Sequence, residues 1–191
     1  MKTEQSNAEL AMTKNIVEMA FDFTAMVRVF SKDSKEKIKS KLEEQFTCLA
    51  KVNTREDYEA FHRTFCEWFI PEIRTAEKKL KNGKVLKSEA ASYGHAAKVL
   101  DIAIKVYVYY CAQPNAEVAE RLVPFLHGAV DTALMKHLKS ACTAIKDINE
   151  KAYRDLQSLV RTESERCKVR PVQYDDIMWR QLNQKDNPRT E

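Results

Sequence analysis

The stretch KVLDIAIKVYVYY, residues 98–110, is apolar on almost every side. Its only charged residues are Lys98, Asp101 and Lys105, which stand at positions i, i+3 and i+7 and therefore share one face of a helix. A helix that is apolar around nearly its whole circumference belongs in the centre of a domain. The charged stripe then marks either a partly hydrated edge or a functional site on that central helix.

The composition of the 191-residue chain predicts an all-α protein. It contains only 3 Gly and 5 Pro, and no segment shows the alternation of polar and apolar residues that is typical of a strand. We expect a single domain over residues 1–183 and a disordered tail over 184–191. No run of about 18 apolar residues occurs, so no membrane partner is expected.

The cysteines and the N-terminal segment favour a cytoplasmic protein. The 5 cysteines include no C-x-x-C pair, so neither a zinc knuckle nor an iron–sulfur cluster is indicated and free thiols are expected. The first ten residues, MKTEQSNAEL, lack the apolar run of a signal peptide. These patterns predict no cofactor and no metal.

Helical periodicity and helix-breaking residues divide the chain into a series of predicted helices. The expected spans are about 7–31, 34–50, 55–82, 85–92, 97–112 and 131–146, then one that ends near 162 and a last one over 172–182. Pro71 is expected to kink or restart the third of these helices.

Two residues at predicted helix starts are candidates for chemistry. Lys98 falls in a first turn, where the helix dipole is positive, and partial burial would lower its pKa further and make its amine nucleophilic. The alternative is a lysine that snorkels from the end of a buried helix. Asp131 is suited to be an N-cap, and a capping carboxylate at the mouth of a cleft can also be catalytic.

The two candidates lie in motifs that are similar to those of helix-hairpin-helix DNA glycosylases. Gly94-His95-Ala96-Ala97-Lys98 resembles their G-h-G-x-K hairpin, and Val130-Asp131-Thr132 resembles their V-D-[TV] motif. The helix after Lys98 resembles that of the archaeal 8-oxoguanine DNA glycosylase branch, including Lys105. Asp175 and Trp179 repeat that branch's Asp–Trp spacing on a C-terminal helix.

The resemblance implies two helical lobes around a cleft, in a monomer that acts on double-stranded DNA containing a modified base. It would flip that base out, cleave its N-glycosidic bond and leave an abasic site, with AP-lyase strand cleavage as a second step. The implied catalytic pair is Lys98 and Asp131. The implied base-binding residues are Trp68, Trp179, Asp175 and Ile102. Those expected to contact the DNA backbone are Gly94, His95, Ala96, Lys81, Lys84 and Lys87.

Two departures from the family pattern leave the substrate open. Ala96 replaces the second hairpin glycine, and Ile102 stands where the archaeal branch has a phenylalanine. One candidate substrate is an oxidised purine such as 8-oxoguanine, in DNA repair. The other is a glucosylated hydroxymethylcytosine of phage DNA, in antiphage defence.

Two other classes of function are also compatible with the sequence. Arg121 and His127 have the R-x5-H spacing of helical HEPN ribonucleases, in which both residues meet in a dimer cleft, but Pro124 interrupts the helix. The chain could also be a non-enzymatic interaction module, in which Lys98 only extends its amine to solvent from a buried helix and Asp131 only caps a helix. A glycosylase requires Lys98 and Asp131 to face one cleft with an aromatic side chain nearby, whereas a HEPN nuclease requires Arg121 and His127 to converge.

Overall fold

The computed structural model describes residues 7–22, 25–79, 83 and 85–184. The prediction of a mostly helical protein is confirmed for this part of the chain. Its α-helices are α1 (Asn7–Asp22), α2 (Lys32–Phe46), α3 (Arg55–Glu72), α4 (Tyr93–Ile104), α5 (Ala116–Leu122), α6 (Thr132–His137), α7 (Glu150–Arg166) and α8 (Pro171–Gln184). Lys81, Lys84 and nearly all of the predicted tail lie outside the described residues. None of the described helices is long and apolar enough to cross a membrane.

The central position predicted for the apolar segment is confirmed. Helix α4 packs against α1, α3 and α7, and residues such as Val99, Leu100 and Ile104 are fully buried in the core. The helix continues through Lys105–Tyr110 with π-type hydrogen bonding. A π-turn inside a helix is uncommon and is frequently found at functional sites. Here the switch from α to π occurs at Lys105, one of the three charged residues of the stripe.

Capping side chains explain where the helices that carry the site begin. Ser92 accepts a hydrogen bond from the backbone N–H of His95, and the His95 side chain accepts one from the backbone of Ser92, which closes a capping box at the start of α4. Asp131 caps α6 with a single bond, in which its Oδ1 accepts from Leu134 N at 2.8 Å. The predicted N-cap role of Asp131 is therefore confirmed.

The region between α3 and α4 differs from the prediction. Helix α3 ends at Glu72, one residue after Pro71, and does not continue to residue 82. Lys78–Lys79 and Val85–Leu86 form a short antiparallel β-hairpin with exposed side chains, and residues 85–92 form no helix. This lysine-rich segment offers no apolar face that would hold a helix against the core. The predicted helix in front of Lys98, and with it the helical hairpin, is wrong.

Two other predicted helices are shorter than expected. The helix predicted over 7–31 ends at Asp22, and a 3₁₀ turn occupies Ala25–Arg28. The helix predicted over 131–146 ends at His137, and Lys139 adopts a left-handed conformation with φ of 53°. The chain then turns through Ile145–Asp147, which packs against the first turn of α4.

Candidate active site

A cleft of about 500 Å³ lies between α4, α8 and the segment 126–131. Five residues that the sequence singled out line it together: Lys98, Ile102, Asp131, Asp175 and Trp179. Met19, Lys105, Val106, Tyr110, Ala129 and Asp176 complete the lining. Residues that are far apart in the chain are thus brought to one cavity, as the glycosylase hypothesis required of Lys98 and Asp131.

Lys98 lies in the second turn of α4, because the helix begins at Tyr93 and not near residue 97 as the sequence predicted. Its side chain combines partial burial with two nearby carboxylates. Burial lowers the pKa of the Lys98 amine below its ordinary value, and the negative charges of Asp131 and Asp175 oppose only part of that shift. A larger fraction of this amine is therefore unprotonated near neutral pH than in an exposed lysine. An unprotonated lysine amine can attack an electrophilic carbon and form an imine.

Asp131 is held in the cleft by its own bond to α6 and by hydrogen bonds from α7 to the segment that precedes it. The Asp131 Oδ1 atom caps α6, so one carboxylate oxygen is already engaged by a backbone N–H. The preceding segment is fixed by Gln157, whose Nε2 donates to Gly128 O at 2.8 Å and whose Oε1 accepts from Gly128 N at 3.2 Å. These bonds place the negative charge of Asp131 at the start of α6 and at the edge of the cleft.

A buried ion pair between the end of α4 and α8 forms another part of the cleft wall. Lys105 Nζ lies 2.5 Å from Asp175 Oδ2 and 3.0 Å from Asp176 Oδ1, and the Tyr110 hydroxyl donates to Asp176 Oδ1 at 2.6 Å. Burial alone would lower the pKa of Lys105, but the two carboxylates outweigh it and raise that pKa well above the usual range. Burial also raises the pKa of Asp175, although Lys105 opposes the shift. Lys105 thus stays protonated, whereas Lys98 has the amine that loses its proton more readily.

Several of these lining residues were not among the predicted site residues. Lys105 could have been found from the sequence, because it shares the charged stripe with Lys98. Tyr110 and Asp176 carry no such signal: their 2.6 Å contact joins the end of the π-segment to α8. Met19 comes from α1 and reaches the cleft only through helix packing.

The two tryptophans occupy different environments. Trp179 lies on the rim of the cleft with 59% of its surface exposed, which suits a side chain that stacks on a planar ligand. Trp68 is not part of the lining described for the cleft. It packs against Phe65 and Phe69, and Lys41 Nζ lies 5.5 Å from its ring centroid. The structure does not bring Trp68 to the base-binding position predicted for it.

The residues predicted to offer backbone amides to DNA are instead internal. Gly94, His95 and Ala96 are buried in the first turn of α4. Gly94 N donates to Ile148 O at 3.0 Å, while His95 N and Ala96 N donate to the side chain and carbonyl of Ser92. Amides that are already bonded within the protein are not available to a phosphate, so this prediction is wrong. Lys87 is exposed, as its predicted role requires.

Arg121 and His127 do not converge. Arg121 donates to the carbonyls of Ala50 and Val52 at 2.9 and 3.2 Å, whereas His127 is buried against Glu59 and Tyr153. A HEPN-type active site requires both side chains in one cleft, and this geometry lacks that arrangement.

The third residue of the stripe, Asp101, does not line the cleft. It is 2% exposed and belongs to a buried polar cluster with His62, His127 and Tyr153. Burial lowers the pKa of His127. Burial also acts to lower the pKa of His62, but the neighbouring Cys66 and Asp101 outweigh it and raise that pKa to about 10.

The cleft therefore offers an amine with a lowered pKa, a fixed carboxylate, a buried charged wall and an exposed indole. Together these groups suit nucleophilic attack on an electrophilic carbon whose planar substituent stacks on the rim. A more open depression on α1 is lined, among the described residues, by Asn15, Glu18, Met19 and Asp22, and none of these four is a comparable nucleophile. Comparisons of the chain with protein-family models, with curated proteins and with solved structures find no match.

Proposed function

We propose that the chain is a DNA N-glycosylase that extrudes a modified base from the duplex and cleaves its N-glycosidic bond. The observation that carries the proposal is the shared cleft of Lys98, Asp131, Asp175 and Trp179, in which burial lowers the pKa of the Lys98 amine. A base inside a duplex is inaccessible to such a cleft, so the enzyme must flip it out and receive it in the cavity.

Lys98 acts as the nucleophile of this reaction. The lone pair of its neutral amine forms a bond to C1′ of the nucleotide, and the electrons of the C1′–N bond leave with the base, which takes up a proton. Loss of the amine protons and opening of the sugar at the C1′–O4′ bond, with protonation of O4′, produce an imine between Lys98 and C1′. Water then releases the abasic site, or loss of a C2′ proton forms a C2′=C3′ bond, expels the 3′-phosphate and cleaves the strand.

Asp131 and the residues of α8 in the cleft support this step. The sugar gains positive charge at C1′ as the base departs, and the Asp131 carboxylate at the start of α6 stabilises that charge. Trp179 stacks on the extruded base, and Asp175, fixed by Lys105, contacts its edge. Ile102 contributes a smaller apolar surface than a phenylalanine would, so the candidate substrates remain an oxidised purine and a glucosylated hydroxymethylcytosine.

DNA binding does not require the helical hairpin that the sequence predicted. The β-hairpin before α4 displays Lys78, Lys79 and Lys87 on exposed positions, and lysines of this kind neutralise phosphates and release counterions. We propose that this hairpin supplies the contacts to the DNA backbone. Its binding should weaken steeply as the salt concentration rises.

Borohydride trapping tests the proposal. The protein is incubated with duplexes that carry 8-oxoguanine, glucosylated hydroxymethylcytosine or no modification, and abasic sites are assayed on the same samples. We expect a covalent adduct on one modified duplex, mapped by peptide mass spectrometry to Lys98 and not to Lys105. The adduct should disappear in Lys98→Gln and persist in Lys151→Gln, which alters an exposed lysine of α7.

Three outcomes would change a part of the proposal or overturn it. An adduct that persists in Lys98→Gln, or that maps to another lysine, would remove Lys98 from the catalytic role. Abasic sites without an adduct would retain the glycosylase and replace the amine by water as the nucleophile. Neither product on any of the duplexes would overturn the assignment to these two substrates.

A further inference from the structure

Four polar side chains from four parts of the fold meet in the core, away from the proposed catalytic cleft. They are His62 of α3, Asp101 of α4, His127 of the segment 126–131 and Tyr153 of α7. Each of them is at most 3% exposed. Burying this many polar groups in one place is costly unless every one of them is satisfied.

The donor atoms of this cluster surround the Tyr153 hydroxyl. The hydroxyl oxygen lies 2.8 Å from Asp101 Oδ2, 2.9 Å from His127 Nδ1 and 3.0 Å from His62 Nε2. His62 Nε2 is 3.1 Å from Asp101 Oδ1, and His127 Nδ1 is 4.0 Å from the same oxygen. The imidazole nitrogens and the Asp101 oxygen all lie within 4.8 Å of one another.

Hydrogen bonds alone do not satisfy this arrangement when His127 is neutral. A neutral imidazole carries one N–H, yet both nitrogens of His127 make short contacts, Nδ1 with the Tyr153 hydroxyl and Nε2 with Glu59 Oε1 at 3.1 Å. If the proton is on Nε2, the Nδ1 lone pair competes with Asp101 for the single Tyr153 proton. If the proton is on Nδ1, the Nε2 lone pair faces the Glu59 carboxylate. One contact is unmatched in either tautomer.

We propose that His62, Asp101, His127 and Tyr153 form a binding site for a divalent transition-metal ion of the zinc class. Imidazole and carboxylate are ligands that zinc prefers, at about 2.0 to 2.2 Å, so ligand atoms around a tetrahedral ion stand about 3.3 Å apart. The five distances given above between these donor atoms, from 2.8 to 4.0 Å, bracket that spacing, and the nitrogens of His62 and His127 lie within 4.8 Å of each other. Metal binding releases the Nε2 proton of His62 and the hydroxyl proton of Tyr153 to solvent, and the ion accepts the freed lone pairs together with the unmatched lone pair of His127.

The surroundings of His127 resemble the support that metal-bound histidines receive in proteins. A histidine that binds a metal through one nitrogen usually donates its other N–H to a carboxylate, which fixes the ring. Glu59 occupies that position for His127, and Arg161 Nη2 lies 3.8 Å from Glu59 Oε1. A surface cavity of about 260 Å³, lined in part by Glu59, His127 and Tyr153, gives an ion a route to the site.

The site would have a structural role, because all four ligands come from the protein and no position is left for a substrate. An ion there joins α3, α4, α7 and the segment 126–131. Asp101 lies on the same helix as Lys98, and His127 lies in the segment that leads to Asp131. Metal binding would therefore fix α4 and the segment 126–131, which carry Lys98 and lead to Asp131, relative to each other across the catalytic cleft. It can be measured without any glycosylase activity, so the two proposals are tested separately.

The experiment uses the full chain, treated with a chelator and dialysed, and titrated with Co²⁺ and Zn²⁺. We expect one Co²⁺ per chain with the visible bands of a tetrahedral nitrogen and oxygen site, displacement by Zn²⁺, and a higher melting temperature with Zn²⁺. His127→Gln should lose the stoichiometric binding. His137→Gln, which alters an exposed histidine of α6, should keep it.

Glu59→Gln provides a second test in case His127→Gln does not fold. The Glu59 side chain is 36% exposed, so its amide variant should fold, and losing the support of His127 should weaken metal binding about 10- to 100-fold. The proposal is overturned if the folded wild type binds no stoichiometric metal or if Glu59→Gln binds as tightly as the wild type. An intense near-ultraviolet thiolate band in the Co²⁺ complex would also overturn it, because cysteines would then be the ligands.

Discussion

Replacing Gly94 with alanine distinguishes between a role of this glycine in DNA binding and a role in packing inside the protein. The resemblance to glycosylases places Gly94 at the DNA backbone, whereas the structure places it inside the protein, against the turn at residues 145–148. A Cβ atom at position 94 would stand 2.3 Å from the carbonyl oxygen of Ile145 and 2.7 Å from Ile148 Cβ. The first contact is with backbone, so no side-chain rotation relieves it, and α4 must move away from the turn.

The expected cost follows from these contacts. Overpacking a well-packed site costs about 1 to 3 kcal/mol, and two contacts this short put Gly94→Ala near the upper value. Alanine regains up to about 1 kcal/mol as the better helix former. The net loss of about 2 kcal/mol corresponds to a melting temperature lower by roughly 4 to 8 °C for a domain of this size.

Thermal unfolding followed by circular dichroism measures this effect. Gly128→Ala is the graded control, because its nearest contacts, 3.0 Å to Val160 Cγ1 and 3.1 Å to Pro171 O, are less severe and should cost less. An unchanged melting temperature for Gly94→Ala, with DNA binding lost, would refute the reasoning and return Gly94 to the DNA interface. We expect the opposite result: a less stable protein that binds DNA like the wild type at a temperature where both are folded.

Four further results are expected. Asp131→Asn should lower the rate of base release about 100-fold or more, because the charge is lost, and should leave the melting temperature nearly unchanged, because asparagine caps helices equally well. In a pH series, the rate of imine formation should rise as the Lys98 amine loses its proton, and the pH at the midpoint should lie below the ordinary pKa of lysine. In Asp131→Asn that midpoint should lie at a still lower pH, because Asp131 raises the pKa of Lys98. Lys105→Met should cost about 3 kcal/mol in urea denaturation, because it leaves two carboxylates of α8 without their cation. Trp179→Ala should weaken trapping with little loss of stability, and Trp68→Ala should do the reverse.

Much of the secondary structure could be predicted because its signals are local. The apolar run 98–110 can be removed from water only in the core of a small domain, so its central position follows from hydrophobicity alone. Asp131 and Ser92 start helices because their side chains bond to backbone N–H groups three residues on. Partial burial of Lys98 predicts an amine with a lowered pKa, and burial is the cause of that shift in the structure, although Lys98 lies in the second turn of α4 and not in the first.

The predictions are wrong where one local sequence pattern is compatible with two structures and only contacts with a distant part of the chain select between them. The lysine-rich segment 78–87 was expected to be helical, yet it pairs with itself as a β-hairpin because it has no apolar face to bury. Gly94-His95-Ala96 has the pattern of a DNA-binding hairpin, but the turn at 145–148 occupies that surface. Trp68 and Trp179 are both tryptophans on amphipathic helices, and nothing in the sequence decides which faces a cleft.

Hydrophobic periodicity and caps act within a few residues, so the sequence correctly predicts that the chain is mostly helical, that its apolar segment is central and that Asp131 caps a helix. It places Lys98 in a first turn, whereas α4 begins at Tyr93 and Lys98 lies in its second turn. Tertiary structure alone decided how the charged stripe divides. Lys98 and Lys105 line the cleft, whereas Asp101 meets His62, His127 and Tyr153 in the core. These partners come from α3, α7 and the segment 126–131, and contacts between such distant parts of a chain are fixed by the packing of whole helices, which no local pattern encodes.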